Sequence, residues 1–332
     1  MSALPYVWAG VLVFAVYAYV VMDGFDLGIG ILFPRYAPGP SRDLAMNAIA
    51  PVWDGNETWL VLGGGGLMAA FPLAYAIILP AVYAPVVAML LALTCRGVAF
   101  EFRWRNPRHR RYWDLAFFAG STLAAFAQGA VLGAILQGIA VEGRHYAGGT
   151  WDWLSPFSAL CGASLVAGYA WLGACWLVMK TEGALQAQAR RQALALGAAT
   201  LVCILAVSLA TPFLGQRYYA RWFAWPNVVF AAQVPLLLVI ASALFFFLLR
   251  RGHERAPFLI ALGVFALCFT GLGISVYPDL VPGAISIEAA AAPPASQGFV
   301  LAGAAVLIPI ILGYTGWAYW IFRGKVGREG YH

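Results

Sequence analysis

The sequence predicts an all-α integral membrane protein with about nine transmembrane helices, each needing roughly 20 mostly apolar residues to cross a bilayer. Three observations predict it. Of 332 residues, 62% are apolar and 10% charged, where a soluble domain carries about 25% charged residues. The mean hydropathy of +0.79 implies more apolar surface than water-soluble cores of this length can hide. The basic residues behind the net charge of +6 collect at alternate boundaries of the apolar runs, which reads as membrane topology and not as nucleic-acid binding.

The runs fall near residues 6–33, 55–72, 75–101, 113–140, 158–180, 195–215, 224–249, 257–278 and 299–322. The first continues past the length of a signal-peptide core and lacks a basic leading region or small-residue cleavage site, so it is expected to be retained as a span. The second is short and contains Gly63, Gly64, Gly65 and Gly66. It can be read as spanning or re-entrant. Spanning is preferred, because Arg35 and Arg42 then join the other basic residues on the cytoplasmic side and Met1 lies outside. Successive glycines cost helix propensity but allow close helix contact in lipid; with no Lys-Ser/Thr following, they do not read as a phosphate loop.

The third run is followed by Arg103, Arg105, Arg108, Arg110 and Arg111, and the fifth by Lys180, Arg190 and Arg191. Arg250, Arg251 and Arg255 follow the seventh, and Arg323, Lys325 and Arg328 the ninth. The alternate loops hold only Arg144, Arg217 and Arg221, and the longest, 279–298, holds no basic residue. Because short cytoplasmic loops keep Lys and Arg, the N-terminus is expected outside and the C-terminus in the cytoplasm. Trp8, Trp151, Trp153, Trp222, Trp225, Trp317 and Trp320 stand near predicted ends, as interfacial belts require. With no repeat, low-complexity tract or long linker, residues 1–332 form a single polytopic domain.

Ionisable groups inside apolar runs are costly and face a protein interior or an aqueous path. Nearly all lie in the first part, 6–140, leaving 158–322 as an apolar scaffold. Asp23 and Asp26 share one helical face by their spacing, so both must point inward, where two close carboxylates can hold or pass a proton. A helix-end cap or a simple ion pair is the plain alternative. Asp54 and Glu57 follow, bracketed by Trp53 and Trp59. Asp54 is a candidate N-cap with Glu57 at the capping-box position, although capping does not require two acids entering a membrane. Arg96 and Glu101 form the third charged site, as structural ion-pair residues, with Arg96 the expected counter-ion for Asp23 or Asp26.

Three functions remain open on this pattern. A proton- or sodium-coupled transporter would use intramembrane carboxylates, but commonly breaks helices in both halves. A heme-bearing subunit needs axial ligands; His109, His145, His253 and His332 all lie outside the long apolar runs, which excludes a bis-His site within the membrane. Met22, Met68 and Met89, with Cys95, Cys161, Cys175, Cys203 and Cys268, read as packing residues without metal-ligand spacing. The third reading is a cofactor-free subunit of a membrane redox complex.

Motifs choose among them. Asp23-Gly-Phe-Asp-Leu-Gly-Ile-Gly30, Ala50-Pro-Val-Trp-Asp-Gly-Asn-Glu-Thr-Trp-Leu60, Ala70-Phe-Pro-Leu-Ala-Tyr75 and Arg96-Gly-Val-Ala-Phe-Glu-Phe-Arg103 occur in this order and spacing. They closely resemble subunit II of the cytochrome bd-type quinol oxidases. The resemblance runs the whole length, through Tyr277-Pro-Asp-Leu-Val-Pro282 and Pro309-Ile-Ile-Leu-Gly-Tyr-Thr-Gly-Trp317, and Ala289-Ala-Ala-Ala-Pro-Pro-Ala-Ser-Gln297 resembles the cyanide-insensitive branch. Gly283 and Glu288 depart from the pattern, since Ser or Pro, and an aromatic residue, are expected there.

The resemblance implies two four-helix bundles plus one peripheral helix. It implies a heterodimer in the bacterial inner membrane that oxidises quinol and reduces oxygen to water. Two b-type hemes and a d-type or third b-type heme would belong to subunit I, with none bound by this chain. A structural quinone and a small single-helix accessory subunit are further expectations. The resemblance also places Asp54 on a cytoplasmic proton path, with Asp23, Asp26 and Arg96 in the same polar region.

Overall fold

The computed structural model describes residues 3–327. Met1, Arg328 and His332, on which sequence expectations rest, lie outside the described residues. Among the described residues nine long helices carry the fold: α1 (Leu4–Leu32), α2 (Trp53–Ala70), α3 (Tyr83–Arg105), α4 (Arg110–Gln137), α5 (Pro156–Lys180), α6 (Gly183–Ala210), α7 (Gln233–Arg250), α8 (Ala256–Val276) and α9 (Pro294–Ile321). All but α2 are long and apolar enough to cross a bilayer. Helix α2 runs through all four glycines without a break, and its 18 residues reach about 27 Å at 1.5 Å per residue, close to the hydrocarbon thickness. The chain is thus an all-α membrane protein, with a span count of about nine set by how α2 is taken.

Several boundaries depart from expectation for local reasons. The run 75–101 is two helices, Pro72–Ala81 and α3, with the break at Val82 (φ −118°, ψ 25°). Pro80 and Pro85 lie on either side, and neither ring nitrogen can donate an i→i−4 hydrogen bond. Helix α6 begins at Gly183, ahead of its apolar run, so Arg190 and Arg191 lie inside a helix. Arg190 accounts for this by donating to the carbonyls of Leu249 (2.6 Å) and Gly252 (3.1 Å), at the α7 C-terminus where a cation is favoured. The run 224–249 starts as the short helix Asn227–Ala231 before α7. Of the four glycines, Gly66 presses on Leu12 of α1 and Gly63 approaches Val16, whereas a Cβ at Gly64 or Gly65 would meet nothing. Close packing thus explains half of that stretch.

Helices α1 to α4 make one bundle and α5 to α8 the second, with α9 laid against α1 and α2. At the seam, α5 is buried without interruption from Gly168 to Val178, as a helix enclosed on all sides must be. It meets α1 almost backbone to backbone: a Cβ on Gly28 would stand 1.9 Å from the Tyr169 carbonyl oxygen, and one on Gly173 would stand 2.5 Å from the Gly28 carbonyl carbon. Phe25 stacks on Trp176 with centroids 4.2 Å apart, and Phe258 of α8 packs edge-on to both.

The basic boundaries gather at one end. There Lys180 donates to the carbonyls of Phe322 and Gly324, while Lys325 donates to Glu254 (2.6 Å) and to the Thr181 carbonyl (3.1 Å). At the opposite end the loop 279–298 is ordered as a hairpin (Asp279–Val281, Ile285–Ser286) and the helix Ile287–Ala290. Gly283 turns that hairpin at φ +76°, a conformation that favours glycine over the expected Ser or Pro. Glu288 accepts a hydrogen bond from Tyr6 at 3.0 Å.

Candidate functional site

Asp23 and Asp26 lie on the inward face of α1, both 0% exposed, and Arg96 of α3, also 0% exposed, points at them. Its Nη2 donates to Asp23 Oδ1 at 2.9 Å and stands 4.0 Å from Asp26 Oδ2. Nη1 donates to Glu57, one turn into α2. Charge-assisted bonds of this kind are about twice as strong as neutral ones. Trp53 roofs the guanidinium, its ring centroid 5.2 Å from Arg96 Cζ, and Phe100 packs beside it at 5.0 Å.

Three carboxylates thus converge on one guanidinium. Asp23 and Asp26 can share an inward face because α5 presents Gly173 to Gly28, bringing α1 into the interior, while Gly120 of α4 lets Arg96 approach: a Cβ there would meet Arg96 Cβ at 3.2 Å. The side chain of Glu57 is 28% exposed, so the cluster reaches the chain surface through α2.

Sequence reasoning did not find Asn56 or Tyr319. Asn56 Nδ2 donates to Asp26 Oδ2 at 2.7 Å and to the Met22 carbonyl at 3.3 Å, and its Oδ1 accepts from the Tyr319 hydroxyl of α9 at 2.9 Å. Asn56 sat within a quoted motif, but Tyr319 had no local signal. A second arm runs through Tyr169 of α5, which donates to Gln128 (2.8 Å), and Gln128 donates to Tyr19 (2.7 Å), one turn from Asp23 on α1. Asp23 Oδ2, Asp26 Oδ1 and Arg96 Nε have no protein hydrogen-bond partner among the described residues.

Two placements correct the sequence reading. Asp54 is not the N-cap: α2 begins at Trp53 after Val52, with no side-chain cap. Two residues earlier than expected, that start puts Asp54 inside the helix, exposed, while Glu57 turns to Arg96 instead of closing a capping box. Glu101 is exposed and does not pair with Arg96, because five residues along a helix of 3.6 per turn leaves it on a different face. Trp59 is buried against Phe14, edge-on at 5.5 Å, on the flank of α2 away from Arg96.

A second ionic network, also unforeseen, ties the basic end. Arg103 donates to Asp114 at 2.6 Å and to Asp43 at 2.8 Å, and Arg42 donates to Asp114 at 2.6 Å. Its acids come from a connecting helix and a helix start, and only the fold brings Arg42 and Asp114 together.

The described histidines lie outside the long helices. His109, His145 and His253 stand in a short helical turn, a hairpin and an interhelical turn. No group of three His, Cys, Asp or Glu side chains among the described residues could hold a metal ion.

A family model described as cytochrome bd terminal oxidase subunit II matches residues 4–322. The chain belongs to this family. It is 28% identical to the cytochrome bd-I ubiquinol oxidase subunit 2 of Escherichia coli (strain K12), covering 99% of this chain and 96% of that one. With the cytochrome bd ubiquinol oxidase subunit 2 of Bacillus subtilis (strain 168), it shares 26% identity over 99% and 98%. Its fold matches a chain in the structure of bd oxidase from Geobacillus thermodenitrificans with a TM-score of 0.77, at 19% identity and covering 96% of this chain and 99% of that one. Membership in the subunit II family makes this multi-pass protein a subunit of a bd-type quinol oxidase, and implies a subunit I partner.

Proposed function

We propose that the chain is the heme-free subunit II of a bd-type quinol oxidase that supports heme-bearing subunit I and supplies part of a cytoplasmic proton path for reducing oxygen to water. The observation that carries this reading is the convergence of Asp23, Asp26 and Glu57 on Arg96. Glu57 is partly open to the chain surface, and Asp54 is exposed one turn before it. Carboxyl groups so spaced suit proton relay, and a fixed guanidinium holds them at membrane depth without collapsing the site.

The basic end supports a cytoplasmic C-terminus and an external N-terminus under the positive-inside rule. Oxygen reduction consumes protons. Drawing them from the cytoplasm while quinol releases its own outside separates charge without a pump. Residues 6–140 form the working part and 158–322 the scaffold. Hemes of b and d type, or a third b type, belong to subunit I, a reading supported by His109, His145 and His253 all standing outside the long helices. Bacterial inner-membrane residence, a structural quinone and a small single-helix accessory subunit complete the reading.

The test is Asp54→Asn in the purified complex. Slowed turnover or proton uptake with assembly and heme content preserved is the expected result; unchanged oxidase activity and proton uptake removes Asp54 from the path.

A further inference from the structure

The three acids of the cluster are not held alike. Arg96 gives Asp23 a charge-assisted bond at 2.9 Å, and Tyr19 lies within electrostatic range of that carboxylate. Glu57 receives the other arm of the guanidinium and is partly exposed. Asp26 stands 4.0 Å from the guanidinium, is 0% exposed, and receives only the neutral Asn56 amide at 2.7 Å. Its Oδ1, like Asp23 Oδ2, faces no protein donor among the described residues, but only Asp23 has the guanidinium at 2.9 Å to offset that. An ionised oxygen buried without a donor costs far more than a neutral hydroxyl in the same place.

Asn56 is itself fixed. Both its amide protons are used, on Asp26 and on the Met22 carbonyl, and the Tyr319 hydroxyl secures its oxygen. Turning the amide over would face its oxygen to Asp26 and to the Met22 carbonyl and lose both of those bonds. Tyr319 arrives on α9, otherwise laid on the outside of the bundle.

We infer that Asp26 is the acid that carries the cluster's exchangeable proton, on Oδ1, that Asp23 is the standing counter-ion of Arg96, and that Tyr319 is a positioning residue acting on Asp26 through Asn56. This rests on the proton-carrying reading of the cluster. The transfer is a proton alone: Asp26 gives it up as a neighbouring acid or an admitted water accepts it, with no electron moved.

The experiment is infrared difference spectroscopy of the two-subunit complex in the carboxyl C=O region, in H2O and D2O, comparing wild type with Asp26→Asn, Asp23→Asn and Tyr319→Phe. Asp26→Asn should lose one isotope-sensitive band that Asp23→Asn retains, and Tyr319→Phe should shift that band in a fully assembled complex. A band that survives Asp26→Asn, or that Tyr319→Phe leaves in place, overturns the inference. Should Asp23→Asn not assemble, Asp26→Asn and Tyr319→Phe still decide it. Normal activity in Asp54→Asn alongside loss of the band in Asp26→Asn would reject the path while leaving the proton on Asp26.

Discussion

Replacing Arg96 with Ala should block assembly before it impairs turnover. Among the described residues, the substitution removes the only cation paired with Asp23, Asp26 and Glu57, two of them fully buried. Breaking a buried pair by deleting one partner costs about 3–5 kcal/mol, since the surviving charge stays uncompensated. Losing the guanidinium from the Trp53 face, 5.2 Å away, adds roughly 1 kcal/mol. At about 1.4 kcal/mol per decade, the sum is roughly three to four decades in a folding equilibrium. Against the roughly 5–15 kcal/mol that holds a typical domain, little complex should survive. The assay is complex yield on native gels with heme content per complex. Asp23→Asn in the same chain should recover part of the yield, because it removes one stranded charge and neighbouring effects do not add. A fully assembled, heme-loaded but inactive Arg96→Ala complex would refute the reasoning and make Arg96 a participant in turnover.

Gly28→Ala should destabilise the α1–α5 seam by more than about 3 kcal/mol, beyond ordinary overpacking, because its Cβ would overlap the Tyr169 carbonyl at 1.9 Å; Gly10→Ala, with nothing near its Cβ, should hold or slightly raise the melting temperature. Arg103→Ala removes one of two cations from each of Asp114 and Asp43, which keep Arg42 at 2.6 Å and Arg110 at 3.7 Å, and should loosen the α3–α4 turn, read as faster protease cleavage near Asn106 and a loss of about 2 kcal/mol in stability, the order of a lost charged hydrogen bond. Glu254 is held below the usual carboxylate range, first by the Lys325 hydrogen bond and then by that from Gln186. Its pKa is lowered by folding, so its contribution is present above the unfolded value, about 4.3, and is lost as pH falls through the folded one. Acidification should therefore raise hydrogen exchange in residues 322–327, and Glu254→Gln should blunt that change.

The spans and the polar cluster were readable from sequence because both obey local rules. An apolar run has a length, and Asp23 and Asp26 share a face by spacing alone. The charged residues at Asp23, Asp26, Glu57 and Arg96 stood out against lipid for the same reason. What resisted reading depended on contacts between distant segments. Val82 breaks a run that hydropathy joins, through two prolines whose missing donors are invisible to an apolarity average. Asp114 resembles an ordinary acid near a helix start until Arg42 reaches it from 72 residues away. The Asp54 cap failed by two residues of helix register, and the same displacement turned Glu57 toward Arg96.

The hydrogen bond between Tyr319 and Asn56 joins residues 263 positions apart. During synthesis at about 5–20 residues per second, Asn56 precedes Tyr319 by roughly 13–53 s. Helices α1, α2 and α3 therefore enter the bilayer and bring their acids together long before the tyrosine exists. A nascent chain, or one truncated within α9, holds Asn56 by its two bonds to α1 alone, so the last helix made completes a site begun by the first three.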